Sequence, residues 1–158
     1  MYSMRVTHHV RAPRAAVYRA LLDAEAVATW RVPDGMRGQV HEFDPREGGS
    51  FRVSLTYDAP DRAGKTSANT DTYRGRFLRL VPDEQVVELI EFDTDDPALS
   101  SPMTITTSLS DTDGGTDVVM EHVGIPDAIG AADNETGTRM ALANLARLVE
   151  TDSGRDDV

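Results

Sequence analysis

A chain of 158 residues with a formal net charge of −11 lacks the clustered cations that nucleic acid or an anionic membrane surface would need. Its content of 39% hydrophobic and 27% charged residues fits one folded domain, and the absence of cysteine removes disulfides, thiolate metal sites and thiol nucleophiles together. No apolar run reaches the roughly 18 residues of a membrane span and no signal-peptide pattern opens the chain, so the expected location is the cytoplasm.

Residues 4–10 alternate, with Met4, Val6, His8 and Val10 on one face and Arg5, Thr7 and His9 on the other, which predicts a strand. Ala12-Pro13 stops it, and Pro13 suits the first turn of a helix whose apolar side is Val17, Ala20, Leu21 and Leu22. A second short helix over 24–30 ends in Trp30, the one tryptophan, and Pro33-Asp34-Gly35 turns the chain. Residues 39–43 form a short strand. After the turn Glu47-Gly48-Gly49, residues 50–57 alternate with Phe51, Val53, Leu55 and Tyr57 on one side.

Residues 58–69 read as a long exposed hairpin loop, rich in Asp, Gly, Ser and Pro. Strands over 70–80 and 85–92 are joined by Val81-Pro82-Asp83-Glu84, and a polar loop covers 93–101. Strands over 103–109 and 116–123 make the clearest hairpin, turning through 111–115. Residues 127–133 are a linker or short helix. Residues 134–150 carry the strongest helical period, with Met140, Ala141, Leu142, Leu145, Ala146, Leu148 and Val149 on one broad face. The polar, acidic stretch 151–158 is expected to be a disordered tail. Consecutive strands joined by short turns imply an antiparallel sheet, and the long helix needs that sheet to cover its apolar face, so the class is α+β.

Several stretches resemble one family in the order in which they occur. Ala12-Pro13 opens an apolar helix with Tyr18 near its start, and Trp30 ends the second helix. Phe43-Asp-Pro-Arg-Glu-Gly-Gly-Ser-Phe51, Tyr73-Arg-Gly-Arg-Phe77 with Val81-Pro-Asp-Glu84, and Gly115 to Pro126 with His122 near its end follow. Together they resemble the SRPBCC (START-like) superfamily, in the branch named after the C-terminal domain of the activator of Hsp90 ATPase. The resemblance covers nearly the whole of residues 1–150 as a single domain. It implies the helix-grip fold, a curved seven-stranded antiparallel sheet around the long C-terminal helix, with two short helices after the first strand. One departure is Gly137-Thr138, where the family often has Gly-Trp at the start of the last helix.

A grip of this kind often leaves a cavity suited to apolar small molecules. Alternation turns Phe51, Val53, Leu55, Tyr57, Tyr73, Phe77, Val87, Leu89, Met103, Ile105, Val118, Met120 and His122 toward the helix. Met140, Ala141, Asn144 and Leu148 answer them from the helix, and Trp30 closes one end. For the apolar members a plain packed core is the alternative reading. The polar members say more: His122 points inward, and Glu91 shares the face of Val87 and Leu89, although Ile90 and Phe92 leave its direction open; turned inward, the two make an acid–base pair or orient a ligand, with a hydrogen-bonded structural histidine as the alternative.

No metal site emerges, because His8 and His9 point to opposite faces of one strand and no His-x-x-x-His or carboxylate cage exists. No Gly-x-Ser-x-Gly elbow, phosphate loop or other catalytic constellation is present, so no catalytic residue and no cofactor is assigned. Three functions stand in order: binding of an apolar molecule, lipid-like or aromatic, between helix and sheet; a chaperone-associated interaction module linked to the stress response, as the family resemblance implies; and a cyclase or hydrolase using the same cavity. Monomer and homodimer both remain open, the latter through an edge strand at 39–43.

Overall fold

The computed structural model describes residues 1–58 and 69–156, with side chains to residue 150. The elements run β1 (Tyr2–Val10), α1 (Arg14–Leu21), α2 (Ala24–Trp30), β2 (Met36–Phe43), β3 (Ser50–Tyr57), β4 (Thr70–Val81), β5 (Gln85–Phe92), β6 (Met103–Thr112), β7 (Gly115–Ile125) and α3 (Ala131–Asp156). The strands make one antiparallel sheet in the order β1-β7-β6-β5-β4-β3-β2. This is the α+β helix-grip arrangement expected from the sequence. The expected loop at 58–69 falls, but for its two ends, outside the described residues.

Local chemistry sets the short elements. Pro13, extended at φ −69°, supplies the N-cap position of α1. Asp23 caps α2 by accepting a hydrogen bond from the Glu25 N–H at 3.0 Å. Trp30 is buried, and its indole donates to the Ala20 carbonyl at 3.0 Å, so the two helices are locked at a fixed angle. Among the described residues no helix is long and apolar enough to cross a membrane.

The long helix begins three residues before the expected start, at Ala131, and its backbone stays helical to Asp156, into the stretch expected to be disordered. Ala141, Leu142, Leu145, Ala146 and Val149 form its buried face. Thr138, at the position where the family often has Trp, is buried and satisfies its hydroxyl on the Asn134 carbonyl at 2.8 Å. The helix lies closest to β1, α2 and α1, while the backbones of the middle strands stand farther off. Large side chains fill that space, Phe51, Tyr73, Phe77, Ile90, Ile105 and Met120 among them, in one core cluster.

The phase of β5 differs from expectation. Val86, Glu88 and Ile90 face the core, and Val87, Leu89 and Glu91 face the other way. In Gln85-Val-Val-Glu-Leu-Ile-Glu-Phe92 apolar residues occupy both parities, so alternation cannot choose a face. Pairing does: Glu88 stands opposite Phe77 on β4 and Ile105 on β6, both buried. On the outer face Glu91 pairs with Arg74 at 3.0 Å.

Gly75 makes room in the aromatic part of the core. Phe51 packs against Tyr73 (6.3 Å between centroids) and Phe77 (5.1 Å), across the strand from Gly75. A Cβ at Gly75 would collide with the Leu89 carbonyl oxygen and stand 2.9 Å from Phe51 Cζ. The first of these is backbone of the paired strand and cannot swing aside. Gly75→Ala is therefore expected to lose about 1–3 kcal/mol in urea unfolding; an unchanged midpoint would show that the sheet yields at this point.

Candidate functional site

Arg31 follows directly on α2, and its backbone is held from two sides. Its own N–H closes the helix on the Val27 carbonyl, at 3.1 Å. From α3, Asn144 donates its amide to the Val32 carbonyl at 3.0 Å and to the Trp30 carbonyl at 3.5 Å. With its flanks tied, the Arg31 side chain turns inward. Its guanidinium lies 5.6 Å from the Trp30 ring centroid and 5.7 Å from that of Tyr73, within range of cation–π attraction to both.

There it meets Glu88 at 2.8 Å, in a pair whose side chains are 15% and 6% exposed. Burial alone would weaken the arginine's charge, but the adjacent Glu88 carboxylate outweighs it and holds the guanidinium protonated above its ordinary range. The row across the sheet through Glu88 runs from Phe77 to Glu88, Ile105, His122 and Met4. His122 thus stands one strand beyond Ile105 on the same inner face.

Tyr73 and His122 are both 7% exposed. Among the described residues, no partner bonds the Tyr73 hydroxyl or either ring nitrogen of His122. Such atoms are unusual, since buried polar groups nearly always find a bond and one left without costs about 1–3 kcal/mol. Burial, and then the charge of Arg31, push His122 from 6.5 down to about 4, so its ring is neutral at pH 7. Burial pushes the Tyr73 phenol up to about 12, with Arg31 opposing and Glu88 reinforcing. The site therefore offers two neutral hydrogen-bonding side chains beside a mutually satisfied ion pair.

The structure brings together Trp30, Phe51, Val53, Tyr73, Phe77, Ile105, Met120, His122 and Ala141 of the expected set, all buried in the core cluster. Leu55, Tyr57 and Met140 are half-buried. Asn144 is half-buried too, and its amide is engaged with backbone carbonyls, with Arg147 donating to its Oδ1. Leu89 and Glu91 lie on the opposite face of the sheet, so the expected pair of His122 with Glu91 does not form. Arg31 and Glu88 were not anticipated. A carboxylate between Val86 and Ile90 at period two was the available signal, because a buried carboxylate requires a cation.

Two open clefts lie outside this cluster. One of about 840 Å³, bordered by Ala28, Val32, Gly38, Asn144 and Leu148, flanks the segment that carries Arg31. A larger one of about 1190 Å³, bordered by Ala16, Arg19, Asp23, Ala26 and Thr112, has none of Arg31, Tyr73, Glu88 and His122 on its walls. Among the described residues no three His, Asp or Glu side chains converge as a metal site would require.

Comparison with known proteins supports the architecture. The sequence model of the family described as Activator of Hsp90 ATPase homolog 1-like protein matches residues 11–150. The crystal structure of a protein from Chromobacterium violaceum is similar at 34% identity, covering 94% of this chain and 96% of that one, with a TM-score of 0.84. A Rhodobacter sphaeroides protein shares the fold at 20% identity, over 94% and 92% of the two chains, with a TM-score of 0.77. An AHSA1-like protein from Aeromonas hydrophila does so at 18% identity, over 96% and 94%, with a TM-score of 0.72. No curated protein matches the sequence.

Two outcomes follow from the electrostatics. Glu88→Gln leaves the buried guanidinium without its counter-charge and is expected to cost about 3–5 kcal/mol in urea unfolding, whereas Arg31→Met with Glu88→Leu recovers most of that loss. Equal stability of Glu88→Gln and the parent would mean that the pair is not desolvated. Between pH 6.5 and about 4 an unfolded chain binds the His122 proton and the folded chain does not, so acid favours unfolding in this window. Stability is full above pH 6.5 and falls by up to roughly 3 kcal/mol on the way to pH 4. His122→Phe should flatten that part of the pH profile; an unchanged slope would place the titration elsewhere.

Proposed function

The chain belongs to the Activator of Hsp90 ATPase homolog 1-like family, and from that premise we propose that it binds an apolar small molecule, lipid-like or aromatic, between α3 and the sheet. The observation that carries this reading is the set of unbonded polar atoms on Tyr73 and His122, buried beside an apolar wall. A mostly apolar lining with a few polar groups that fix orientation is the usual chemistry of a ligand site. In a core selected only for stability, phenylalanine at both positions would remove the desolvation cost of these atoms. Phe51, Val53, Phe77, Ile105 and Met120 supply the apolar part of the wall.

The alternatives have less support from the side chains. A chaperone-docking module rests on the family description and calls for an exposed patch. The exposed large apolar residues among those described are Met1, Leu78 and Val123, and the last two stand on β4 and β7 with two strands between them. A hydrolase or cyclase needs a free base beside the substrate. Glu91 lies on the far face, Glu88 is bound to Arg31, and His122, pushed down to about 4 by burial and by Arg31, is a weak base.

Native mass spectrometry of the chain, equilibrated with a total lipid and aromatic extract, is expected to show one bound molecule per chain. At a ligand concentration a hundredfold above Kd the fold should gain about 2.7 kcal/mol, seen as a rise in Tm. A chain that takes up no adduct and shows no shift in Tm overturns the reading.

A further inference from the structure

Apart from the core site, we propose that the cleft of about 840 Å³ between α3, the end of α2 and β2 binds a small apolar molecule carrying one carboxylate. Neither Tyr73 nor His122 borders this cleft, so it is a second site. One glycine brings its walls together. At Gly38 on β2 a Cβ would stand 2.5 Å from Val32 Cγ2 and 3.2 Å from the Ala28 carbonyl oxygen. β2 therefore closes against the end of α2 at this point. Ala28, Met36 and Leu148, one from each element, line the cleft half-buried, with apolar surface left open to water. A cleft of this volume falls within the range of small-molecule sites.

Charge defines the other end of the ligand. On α3, Asn144, Arg147 and Leu148 are spaced i, i+3 and i+4, so they share one side of the helix and set a cation beside the apolar wall. Arg147 donates to Asn144 Oδ1, and Asn144 is itself anchored on the Trp30 and Val32 carbonyls. The guanidinium is thereby held at the cleft. Arg37 brings a second cation from β2, and Asp58 answers it at 3.2 Å. The acid on the wall is Asp34. Two arginines against one aspartate make the cleft cationic on a chain whose net charge is −11. A guanidinium fork matches the planar oxygens of a carboxylate. One carboxylate needs only Arg147, whereas a phosphate dianion would also need Arg37, which Asp58 already holds. An ammonium would be repelled by both.

The test titrates 1-naphthoate, 1-naphthalenemethanol and 1-naphthylmethylammonium, which share one ring system and differ in charge, into the chain at pH 7.5 and low salt, with methyl NMR as the readout. Naphthoate is expected to bind at least about tenfold more tightly than the alcohol, the worth of one charge-assisted hydrogen bond, and the ammonium more weakly than either. The resonances that move should be the methyls of Ala28, Val32, Met36 and Leu148, while those of Ile105 and Met120 in the core stay in place. Arg147 is exposed, so Arg147→Gln keeps the fold; it should bring naphthoate down to the alcohol and leave the alcohol unchanged. Added salt should narrow the same gap in the parent. The alcohol binding as tightly as naphthoate, naphthoate indifferent to Arg147→Gln, or no saturable shift at the four cleft residues overturns the proposal. Shifts confined to Ile105 and Met120 overturn it too and support the core reading instead, so the two can fail separately.

Discussion

The buried pair of Arg31 and Glu88 is the constraint around which the interior is arranged. Two charges removed from water are tolerated only with close geometry and satisfied partners. The glutamate comes from the middle of β5, and the arginine must reach it from outside the sheet. That fixes where α2 ends, and the surrounding bonds serve this end: the Trp30 indole on the Ala20 carbonyl, the Asn144 amide on the carbonyls at either side of Arg31, and the rings of Trp30 and Tyr73 near the guanidinium. An apolar pair would make the same core at lower cost in desolvation. The field of the pair reaches its neighbours, and His122, held neutral partly by Arg31, is one group on which it acts.

Most of the architecture is legible in the sequence because turns and alternation report directly on it. Pro13, Trp30, the glycine turns and the hairpin between β6 and β7 each have a local cause that a reader of residues can name. The inner-facing residues of β6, and of β7 as far as His122, follow from period two, and their burial agrees with it; in β3 the alternation ends at Val53, and in β4 Asp71, Thr72 and Tyr73 are buried in succession. β5 is the exception for a definite reason: with Val86, Val87, Leu89 and Ile90 in succession, both of its faces look apolar. Which one turns inward depends on Phe77 and Ile105, residues on other strands, and no local pattern contains that information.

The candidate site was half legible for the same cause. His122 falls on a cleanly alternating stretch of β7, and Tyr73, like Phe77 four residues on, is buried as expected. Glu88 was missed with the phase of β5, and Arg31 because a cation just after a helix usually stays in solvent. Asn144 was expected among the ligand-facing residues of α3, and a polar residue on an apolar helix face is a fair signal of function. Its amide instead ends on backbone carbonyls of the segment carrying Arg31. It acts on the site at one remove, by fixing where the arginine enters.

That assignment of Asn144 also bears on why the phenol and imidazole remain unbonded. The helix lies closest to β1, α1 and α2, and the middle of the curved sheet bows away from it. Glu88 on β5 and Tyr73 on β4 belong to the strands that bow away, so any group bonding them must be long or must come from elsewhere. Arg31 is long enough, and the bond it makes there is to Glu88, at 2.8 Å. Asn144 is short, and its donor is taken by the carbonyls of Trp30 and Val32. Curvature thus leaves the Tyr73 phenol in a buried region where Arg31 and Asn144 make their bonds elsewhere. Large side chains, Phe51, Phe77, Ile105 and Met120 among them, fill the space that curvature opens, and the phenol and the imidazole lie in that core with no hydrogen-bond partner among the described residues.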